Sequence, residues 1–259
     1  MPSKIEIVGM IIFSINISAL NVKQSLVFND LPHIIAFMPN LSKRAIKIHE
    51  KLLEIFGNPT WRNPMPPIDE LVSTVLSQNT NDTNRDRAFN ALRTKFPTWK
   101  AVRDAKTRDV INAIRPAGLA NQKGPRIQKV LREITKERGN LDLWFLKDLP
   151  LEEARAWLMK FNGVGPKTAA IVLCFSLNRP AFPVDTHIYR VTGRIGLRPE
   201  KMTVEQAHPH LEKLFPPETY YAAHLNLIRL GREVCHAQKP DCPKCPITGL
   251  CDYEPKTKY

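Results

Sequence analysis

Four of the five cysteines in this 259-residue chain stand close together near its C-terminus, and they constrain how this end of the chain can fold. Cys235, Cys242, Cys245 and Cys251 follow the pattern C-x6-C-x2-C-x5-C. Four thiolates in one segment indicate a shared metal centre, either an iron–sulfur cluster or structural zinc. Zinc ligands usually come as two close pairs separated by a longer loop, whereas here a single close pair is flanked by single cysteines. The spacing favours a cluster, and zinc remains the alternative.

The fifth cysteine, Cys174, lies within an apolar run and is predicted to be a small buried side chain. Disulfides are a weaker interpretation of the clustered cysteines, because the rest of the chain contains no framework of paired cysteines. We therefore expect the protein to work in a reducing, cytoplasmic compartment.

The chain is strongly basic, with 38 Lys and Arg residues against 25 Asp and Glu residues and a net charge of +13. Such an excess predicts attraction to a polyanion, and nucleic acid is the natural candidate. Basicity alone is weak evidence, because many basic proteins only solvate their charge. The net positive charge therefore supports DNA binding only together with specific sites.

The first 37 residues differ from the rest of the chain, because their few acidic and basic residues balance. Their apolar stretch, residues 7–20, is interrupted by polar residues and is too short and too polar for a membrane span. We expect residues 1–37 to be an extension, either poorly ordered or upstream of a natural start at Met38.

Apolar residues recur at helical spacing along most of the chain, and strand signals are nearly absent. The clearest example begins after Pro66 and continues through Ile68, Leu71 and Leu76. Ser42 is expected to cap an earlier helix that ends at Gly57. The pattern predicts an all-α fold, with further helices over 85–96, 107–114, 125–136, 151–160, a stretch that ends at 177, 186–195, 204–215 and 220–234.

Residues 158–173 read LMKFNGVGPKTAAIVL, which is the pattern of a helix-hairpin-helix. Gly163 and Gly165 permit a tight turn, and Val164 between them is expected to fill the space between the two helices. Backbone amides at the beginning of the second helix favour an anion, so a DNA phosphate could bind without base recognition. An ordinary helical hairpin is the alternative.

Lys167 directly follows Pro166, in the first turn of the predicted second helix of the hairpin. The positive potential at this end of a helix favours the neutral form of an amine, which is a nucleophile. A proline-containing loop downstream ends at Asp185, which is either a helix cap, a catalytic carboxylate, or both. A solvated surface lysine is the alternative interpretation of Lys167.

Three motifs in this chain, GVGPKTA, VDTHIYRV and GREVC followed by the remaining cysteines, together resemble the endonuclease III branch of the helix-hairpin-helix-Gly/Pro-Asp DNA glycosylases. The resemblance covers about residues 40–255 in unbroken order. It implies an all-α, two-domain protein that binds DNA in the cleft between its domains. The six-helix barrel domain would comprise residues 64–179, with the helix-hairpin-helix at 158–173. The iron–sulfur cluster domain would comprise residues 38–63 and 180–259.

The resemblance also implies a chemistry. Lys167 would attack C1′ of an extruded nucleotide, and Asp185 would be the catalytic carboxylate. The resulting Schiff base would lead to strand cleavage by β-elimination, which makes the protein a bifunctional DNA glycosylase and AP lyase. Oxidised pyrimidines in duplex DNA are the expected substrates. The four clustered cysteines would hold a [4Fe-4S] cluster with a structural role.

By the same resemblance, Gln78, or as second choice Asn79, would fill the gap left by the extruded base, and Leu119 would wedge against the opposite strand. Two departures from the family pattern put the preferred lesion in question: Phe161-Asn162 replace Leu-Pro, and the glutamine stands one place earlier. The remaining expected DNA contacts lie in the hairpin and in the cysteine loop: Gly163, Val164, Gly165, Thr168, Lys239 and Lys244.

Two other functions compete with this hypothesis. One is a mismatch-specific glycosylase of the same fold, acting on uracil or thymine, and the other is a non-catalytic iron–sulfur protein that binds DNA. For the leading hypothesis we expect a monomer that binds double-stranded DNA with damaged bases or abasic sites. No membrane association is expected, and the location would be the cytoplasm of a bacterium or archaeon, at the nucleoid.

Overall fold

The structure is a computed structural model that describes residues 31–60 and 64–254. Within these ranges the regular elements are helical, and no strand occurs, so the predicted all-α fold is confirmed. The α-helices in these ranges are α1 (Leu31–Phe56), α2 (Pro67–Ser77), α3 (Asp82–Lys95), α4 (Trp99–Asp104), α5 (Thr107–Ala113), α6 (Ala120–Arg138), α7 (Leu151–Met159), α8 (Pro166–Ile171), α9 (Thr186–Arg194), α10 (Val204–Leu214) and α11 (Tyr220–Glu233).

Two helix beginnings differ from the sequence prediction. The prediction that Ser42 caps a helix is wrong, because α1 begins at Leu31 and Ser42 lies inside it. Helix α6 begins at Ala120, before the predicted position, and includes Pro125. Pro125 is the sixth residue of α6, so it stands inside the helix and does not mark its beginning. The expected extension over residues 1–37 lies mostly outside the described residues.

Helix α4 was not predicted. It is short, and only Trp99 and Val102 of its residues are buried, so it carries little periodicity. Its beginning is nevertheless well defined, because Thr98 Oγ1 accepts a hydrogen bond from Ala101 N at 3.1 Å. Two buried side chains and one cap are too little for a periodicity argument.

Buried apolar side chains form two clusters. The first joins α2 through α8 and includes Leu71, Leu131 and Leu158. The second joins α1 to the C-terminal helices α9, α10 and α11 and includes Ile48 and Leu227. Helix α1 and the C-terminal helices therefore form the second cluster together, and the part of the chain between them forms the first. The division into domains at residues 64–179 and 180–259 remains a prediction.

Helix α8 continues directly into a π-helical segment, Val172–Ser176, where the chain passes between the two clusters. Val172 and Leu173 pack in the first cluster, whereas Cys174 and Phe175 pack in the second. The wider π turn changes the direction in which successive side chains point, and such turns are frequent at functional sites. Cys174 is 4% exposed, so the prediction that it is buried is confirmed.

The last part of the loop that leads from this segment to α9, residues 181–185, is buried and held by side chains of α10 and α11. Phe182 N donates to Glu212 Oε1 at 2.9 Å. His224 Nδ1 lies 2.9 Å from the carbonyl oxygen of Pro183. Because a carbonyl oxygen only accepts, His224 carries a proton on Nδ1. These contacts fix the backbone that presents Asp185.

Over the described residues, no helix combines the length and the apolar character that a bilayer crossing requires.

Candidate active-site cleft

A cleft of about 680 Å³ separates parts of the two apolar clusters. One wall comes from α2, the beginning of α3, α8 and the segment that follows α8, and the other from α9 and α11. Both Lys167 and Asp185 line this cleft. The structure therefore brings together the two residues that the sequence singled out, one from each of the neighbouring helices α8 and α9.

Lys167 is the second residue of α8, and its side chain is exposed in the cleft. Pro166 precedes it at the first position of the helix, as predicted. Within the described part of the chain, neither a hydrogen bond nor an ion pair engages the Lys167 ammonium. The amine is therefore available to a ligand.

Asp185 caps α9, and it is only 8% exposed. Its Oδ1 accepts a hydrogen bond from Ile188 N at 2.7 Å, which confirms the predicted cap. The carboxylate also faces the positive end of the α9 dipole, which favours its negative charge. The bond holds the side chain in one position at the cleft wall.

Two histidines line the cleft beside Asp185 and are held neutral near pH 7. Burial lowers the pKa of His224 to about 4, against a weaker opposing effect of Asp185. Burial also lowers the pKa of His187. The ring of Phe175 packs edge-on against His224, with ring centroids 5.2 Å apart. The negative charge of Asp185 therefore faces neutral rings rather than imidazolium ions.

Helix α2 contributes a buried polar wall that the sequence analysis missed. Glu70, Ser73 and Thr74 are each less than a tenth exposed, and all three line the cleft. Their spacing of i, i+3 and i+4 places them on one helical face, next to the apolar face that was recognised. A polar stripe beside an apolar one was the available signal. Phe175 was also missed, because the π turn that directs it into the cleft has no sequence signature.

The two candidates for filling the gap left by an extruded base differ in their contacts. Gln78 Nε2 donates to Gly163 O at 3.1 Å, and Gln78 Oε1 accepts from Arg126 Nη1 at 3.0 Å. Asn79 is exposed and has a left-handed backbone with φ 53°. Both residues line the cleft. Both ends of the Gln78 side-chain amide are thus hydrogen-bonded within the protein, whereas the Asn79 side chain is exposed.

Leu119 combines two unusual properties. Its side chain is 47% exposed, although leucine is normally buried, and its φ is 49°. Left-handed backbone costs a residue with a Cβ atom roughly 1 kcal/mol or more. Leu119 directly precedes α6 and follows Gly118, which also has a positive φ. The structure thus maintains a strained, exposed leucine in a short loop.

In the hairpin, Gly163 is the residue that the turn requires. Its φ is 85°, and a Cβ atom there would lie 2.3 Å from Arg126 Cδ. Gly165 has no such requirement, because the space where its Cβ atom would lie is open. Val164 is 4% exposed and packs in the first cluster, as predicted. Thr168 is also buried, with an exposure of 4%, and its contact with DNA remains a prediction.

All four clustered cysteines line one small cavity, and none of them forms a disulfide. The other walls are largely apolar, with Ile195 and Leu230 among them. Arg194 Nη1 lies 3.4 Å from Cys235 Sγ. Among the described residues, no group of three or more His, Cys, Asp or Glu side chains is arranged to hold a metal ion. Four thiols around one largely apolar cavity are nevertheless the donor set that an iron–sulfur cluster takes.

Two lysines of the cysteine loop were predicted to face DNA. Lys239 and Lys244 are both exposed. Lys244 is paired with Asp241, with Nζ and Oδ2 2.7 Å apart. The charge of Lys244 is therefore partly neutralised within the loop. Lys239 has a left-handed backbone, with φ 48°.

Comparison with known proteins adds an independent line of evidence. A family profile described as HhH-GPD superfamily base excision DNA repair protein matches residues 72–217. Endonuclease III of Thermotoga maritima is 34% identical over 72% of this chain and 83% of its own length. An Arabidopsis thaliana protein that is provisionally named a DNA glycosylase is 36% identical over 71% of this chain.

The chain spans 66% of that plant protein and between 9% and 13% of several longer plant relatives. Among solved structures, it is similar to endonuclease III in a trapped covalent intermediate with DNA. The identity is 28%, the TM-score is 0.72, and the match covers 84% of this chain and 99% of the other.

Proposed function

Because this chain belongs to the HhH-GPD superfamily of base excision DNA repair proteins, the endonuclease III family among them, we propose that it is a bifunctional DNA glycosylase and AP lyase. We propose oxidised pyrimidines in duplex DNA as its substrates. One observation carries the proposal. The Lys167 amine, which has no hydrogen-bond or ion-pair partner among the described residues, lines the same cleft as the Asp185 carboxylate, which caps α9. A lyase of this kind needs a nucleophilic amine, whereas a glycosylase that uses water does not.

The proposed reaction begins with a damaged nucleotide outside the base stack, since only then is its sugar accessible. Lys167 Nζ attacks C1′, and the bond from C1′ to the base breaks with its electron pair leaving on the base. The Asp185 carboxylate stabilises the positive charge that develops on the sugar and takes a proton from the attacking amine. Opening of the sugar ring then gives an imine between Nζ and C1′.

The imine makes the C2′ proton acidic. Loss of that proton to a base forms a C1′–C2′ enamine, and the electron pair then expels the 3′ phosphate, which breaks the strand. Asp185 is a candidate for this base, because the proposed first step already places its carboxylate beside the sugar. Water then hydrolyses the imine and releases Lys167.

For DNA binding, we propose that Asn79 fills the gap left by the extruded base and that Leu119 enters the opposite strand. The exposure and left-handed backbone of both residues support these roles. Gln78 instead supports the hairpin through Gly163. The open space at Gly165 leaves the amides at the beginning of α8 accessible to a phosphate.

We further propose that Cys235, Cys242, Cys245 and Cys251 hold a [4Fe-4S] cluster. Such a cluster cross-links the loop and supplies no step of the glycosylase or lyase reaction. Iron and acid-labile sulfide should be present in the purified protein in equal amounts. A colourless protein with one zinc ion per chain would contradict this assignment.

As context for the activity, we propose a monomer that acts on damaged double-stranded DNA in the cytoplasm of a bacterium or archaeon. Duplexes that each carry one oxidised pyrimidine, one uracil or thymine mismatch, or one abasic site would define the substrate. Base release from the mismatched duplexes alone would favour the competing mismatch glycosylase.

Reduction with borohydride during reaction with abasic-site DNA tests the nucleophile directly. The wild-type protein should become covalently attached to DNA, and Lys167→Ala should abolish attachment while retaining DNA binding. Lys160→Ala is a matched control, because Lys160 is an exposed lysine on the other side of the hairpin that does not line the cleft. Attachment by the Lys167→Ala protein would show that the nucleophile is a different residue.

A further inference from the structure

Lys123 of α6 is among the largest fully buried side chains of the described protein, with an exposure of 1%. Its Nζ donates to the carbonyl oxygen of Leu76 at 2.8 Å and to that of Ala117 at 2.7 Å. A buried charge is costly unless hydrogen bonds compensate it, and an apolar side chain of similar length would fill the same space. Burial accordingly lowers the pKa of Lys123. An apolar side chain could not make these two hydrogen bonds, so they are the specific contribution of the lysine at this position.

The two acceptor carbonyls stand at the ends of two helical segments that lead into exposed loops. Leu76 lies in the last turn of α2. It is followed by the last residue of the helix and the turn after it, residues 77–80, which we call the gap loop. Ala117 ends a short 3₁₀ turn and is followed by residues 118–119, which we call the wedge loop. Carbonyl groups at helical C-termini lack intrahelical donors and carry partial negative charge, so a buried ammonium suits both.

Each loop carries a residue with a Cβ atom in the left-handed region, Asn79 with φ 53° and Leu119 with φ 49°. Such residues persist only where the surrounding structure fixes them. A single Nζ atom contacts the backbone immediately before both loops, so it sets the distance between the two loop bases. No local sequence pattern would link these loops.

We infer that Lys123 is a positioning residue that fixes the gap loop and the wedge loop relative to each other, so that both enter the duplex together. This inference rests on the proposed DNA-binding roles of Asn79 and Leu119. It predicts that Lys123 affects the opening of duplex DNA more than it affects chemistry on a sugar that is already exposed.

The test compares Lys123→Met with Gln128→Met. Gln128 lies on the same helix, is 0% exposed, and donates its amide to the carbonyls of Val102 and Ala105 at 2.9 and 2.8 Å. The Gln128→Met variant therefore loses a buried polar side chain and its hydrogen bonds to backbone carbonyls, as Lys123→Met does, but these carbonyls lie away from the cleft. For each variant, the rate of base release from a lesion duplex is divided by the rate of strand cleavage in single-stranded abasic DNA.

We expect Lys123→Met to lower this ratio by about tenfold or more, because misplacing positioning groups by about 1 Å costs up to about a hundredfold in rate. Gln128→Met should leave the ratio unchanged even if it lowers the melting temperature. Equal ratios for the two variants would overturn the inference. This outcome would leave the proposed function standing, because wild-type cleavage would still be measured.

A second measurement avoids catalysis. The probe is a duplex that carries a tetrahydrofuran abasic analogue with 2-aminopurine opposite it, whose fluorescence rises when the base loses its stacking. Wild-type protein should raise the fluorescence on binding, and Lys123→Met should bind but raise it less. An equal rise with the Lys123→Met protein, or no rise with wild type, would overturn the inference, whether or not the protein is a glycosylase.

If Lys123→Met does not fold, hydrogen exchange of the wild-type protein tests whether the two loops share one anchor. Amides of the gap loop and of the wedge loop should then open with a common free energy and a common response to denaturant. Independent opening of the two loops would contradict a shared anchor.

Discussion

Arg232 of α11 contacts Asp82, the first residue of α3, with Nη1 and Oδ2 2.9 Å apart. This ion pair joins elements on the two sides of the cleft. The other oxygen of Asp82 lies 3.0 Å from Arg85 Nη1. All three residues line the cleft, so one carboxylate neutralises two arginines where DNA is proposed to bind.

Replacement of Asp82 by Asn should therefore strengthen DNA binding. Arg232 becomes available to phosphates, whereas Arg85 keeps its contact with Asp86. Each added phosphate contact steepens the salt dependence by about 0.9 in the logarithmic slope. We expect a gain of about threefold to tenfold in affinity at low salt, measured by fluorescence anisotropy over a salt series. Asp86→Asn is the control, because Asp86 also pairs with Arg85 but does not line the cleft. Equal affinities of the two variants would contradict the expectation.

Asp185 has two separable roles, a helix cap and the proposed catalytic charge. Asp185→Asn keeps an oxygen that can accept from Ile188 N but removes the charge, so the rate of base release should fall by a hundredfold or more, on the order of the effect of a positioned catalytic group, with little change in stability. Asp185→Ala should also lose about 1 kcal/mol of unfolding free energy. Single-turnover kinetics and urea denaturation measure the two effects. A normal rate for the Asp185→Asn protein would assign this residue to capping alone.

Leu119 should be replaceable by Gly with little effect on stability. The relief of left-handed strain, about 1 kcal/mol, offsets the greater freedom of Gly in the unfolded chain, about 0.5–1 kcal/mol. We expect the unfolding free energy to stay within about 1 kcal/mol of wild type, while base release from duplex DNA falls. Ile55→Gln serves as the control, because Ile55 is a similarly exposed apolar residue of α1. Unchanged duplex activity of the Leu119→Gly protein would exclude the wedge role.

The pKa of His224 predicts how stability depends on pH. The folded pKa is about 4, whereas the ordinary value is 6.5, so the unfolded chain binds more protons between these values. The free energy of unfolding should therefore fall as the pH is lowered from about 6.5 to about 4, by up to about 3 kcal/mol from this residue. His208 contributes in the same direction, because burial lowers its pKa too. Urea denaturation at several pH values should show a weaker dependence for His224→Asn, whose amide can still donate to Pro183. An equal dependence in both proteins would refute the assignment.

Cys245→Ser should reduce the iron content of the protein and loosen the loop that carries Lys239. DNA affinity should then fall by about tenfold, as expected for the loss of one or two ordered phosphate contacts. Cys174→Ala is the control, because Cys174 is buried, does not line the cavity of the other four cysteines, and should leave the iron content unchanged. Iron analysis, limited proteolysis and anisotropy measure these effects. Full iron content in the Cys245→Ser protein would exclude this residue as a ligand.

Much of this architecture could be predicted from the sequence, because it depends on local patterns. The apolar spacing at Leu71 and Leu76 places one face of α2 in the core, and the identity of Asp185 marks a helix beginning. The turn at Gly163 is likewise local, since its positive φ is a property of one residue.

The remainder depends on contacts between distant segments. Nothing in the sequence around Lys123 distinguishes it from an exposed lysine, because its acceptors at Leu76 and Ala117 come from other segments. The π turn that directs Phe175 into the cleft results from packing against both clusters. Glu70 was overlooked for a similar reason: a carboxylate on a helix next to a core face is usually solvated, and here it lines a buried wall.

The loop before Asp185 has one more consequence. Because Phe182 and Val184 are almost fully buried and Glu212 binds the loop backbone, this connection is poorly suited to act as a hinge. Rigidity at this connection shifts the change of shape on binding towards the ligand. We therefore expect the duplex, rather than the polypeptide, to bend on complex formation, and lesions that soften the double helix locally should be found faster than rigid ones.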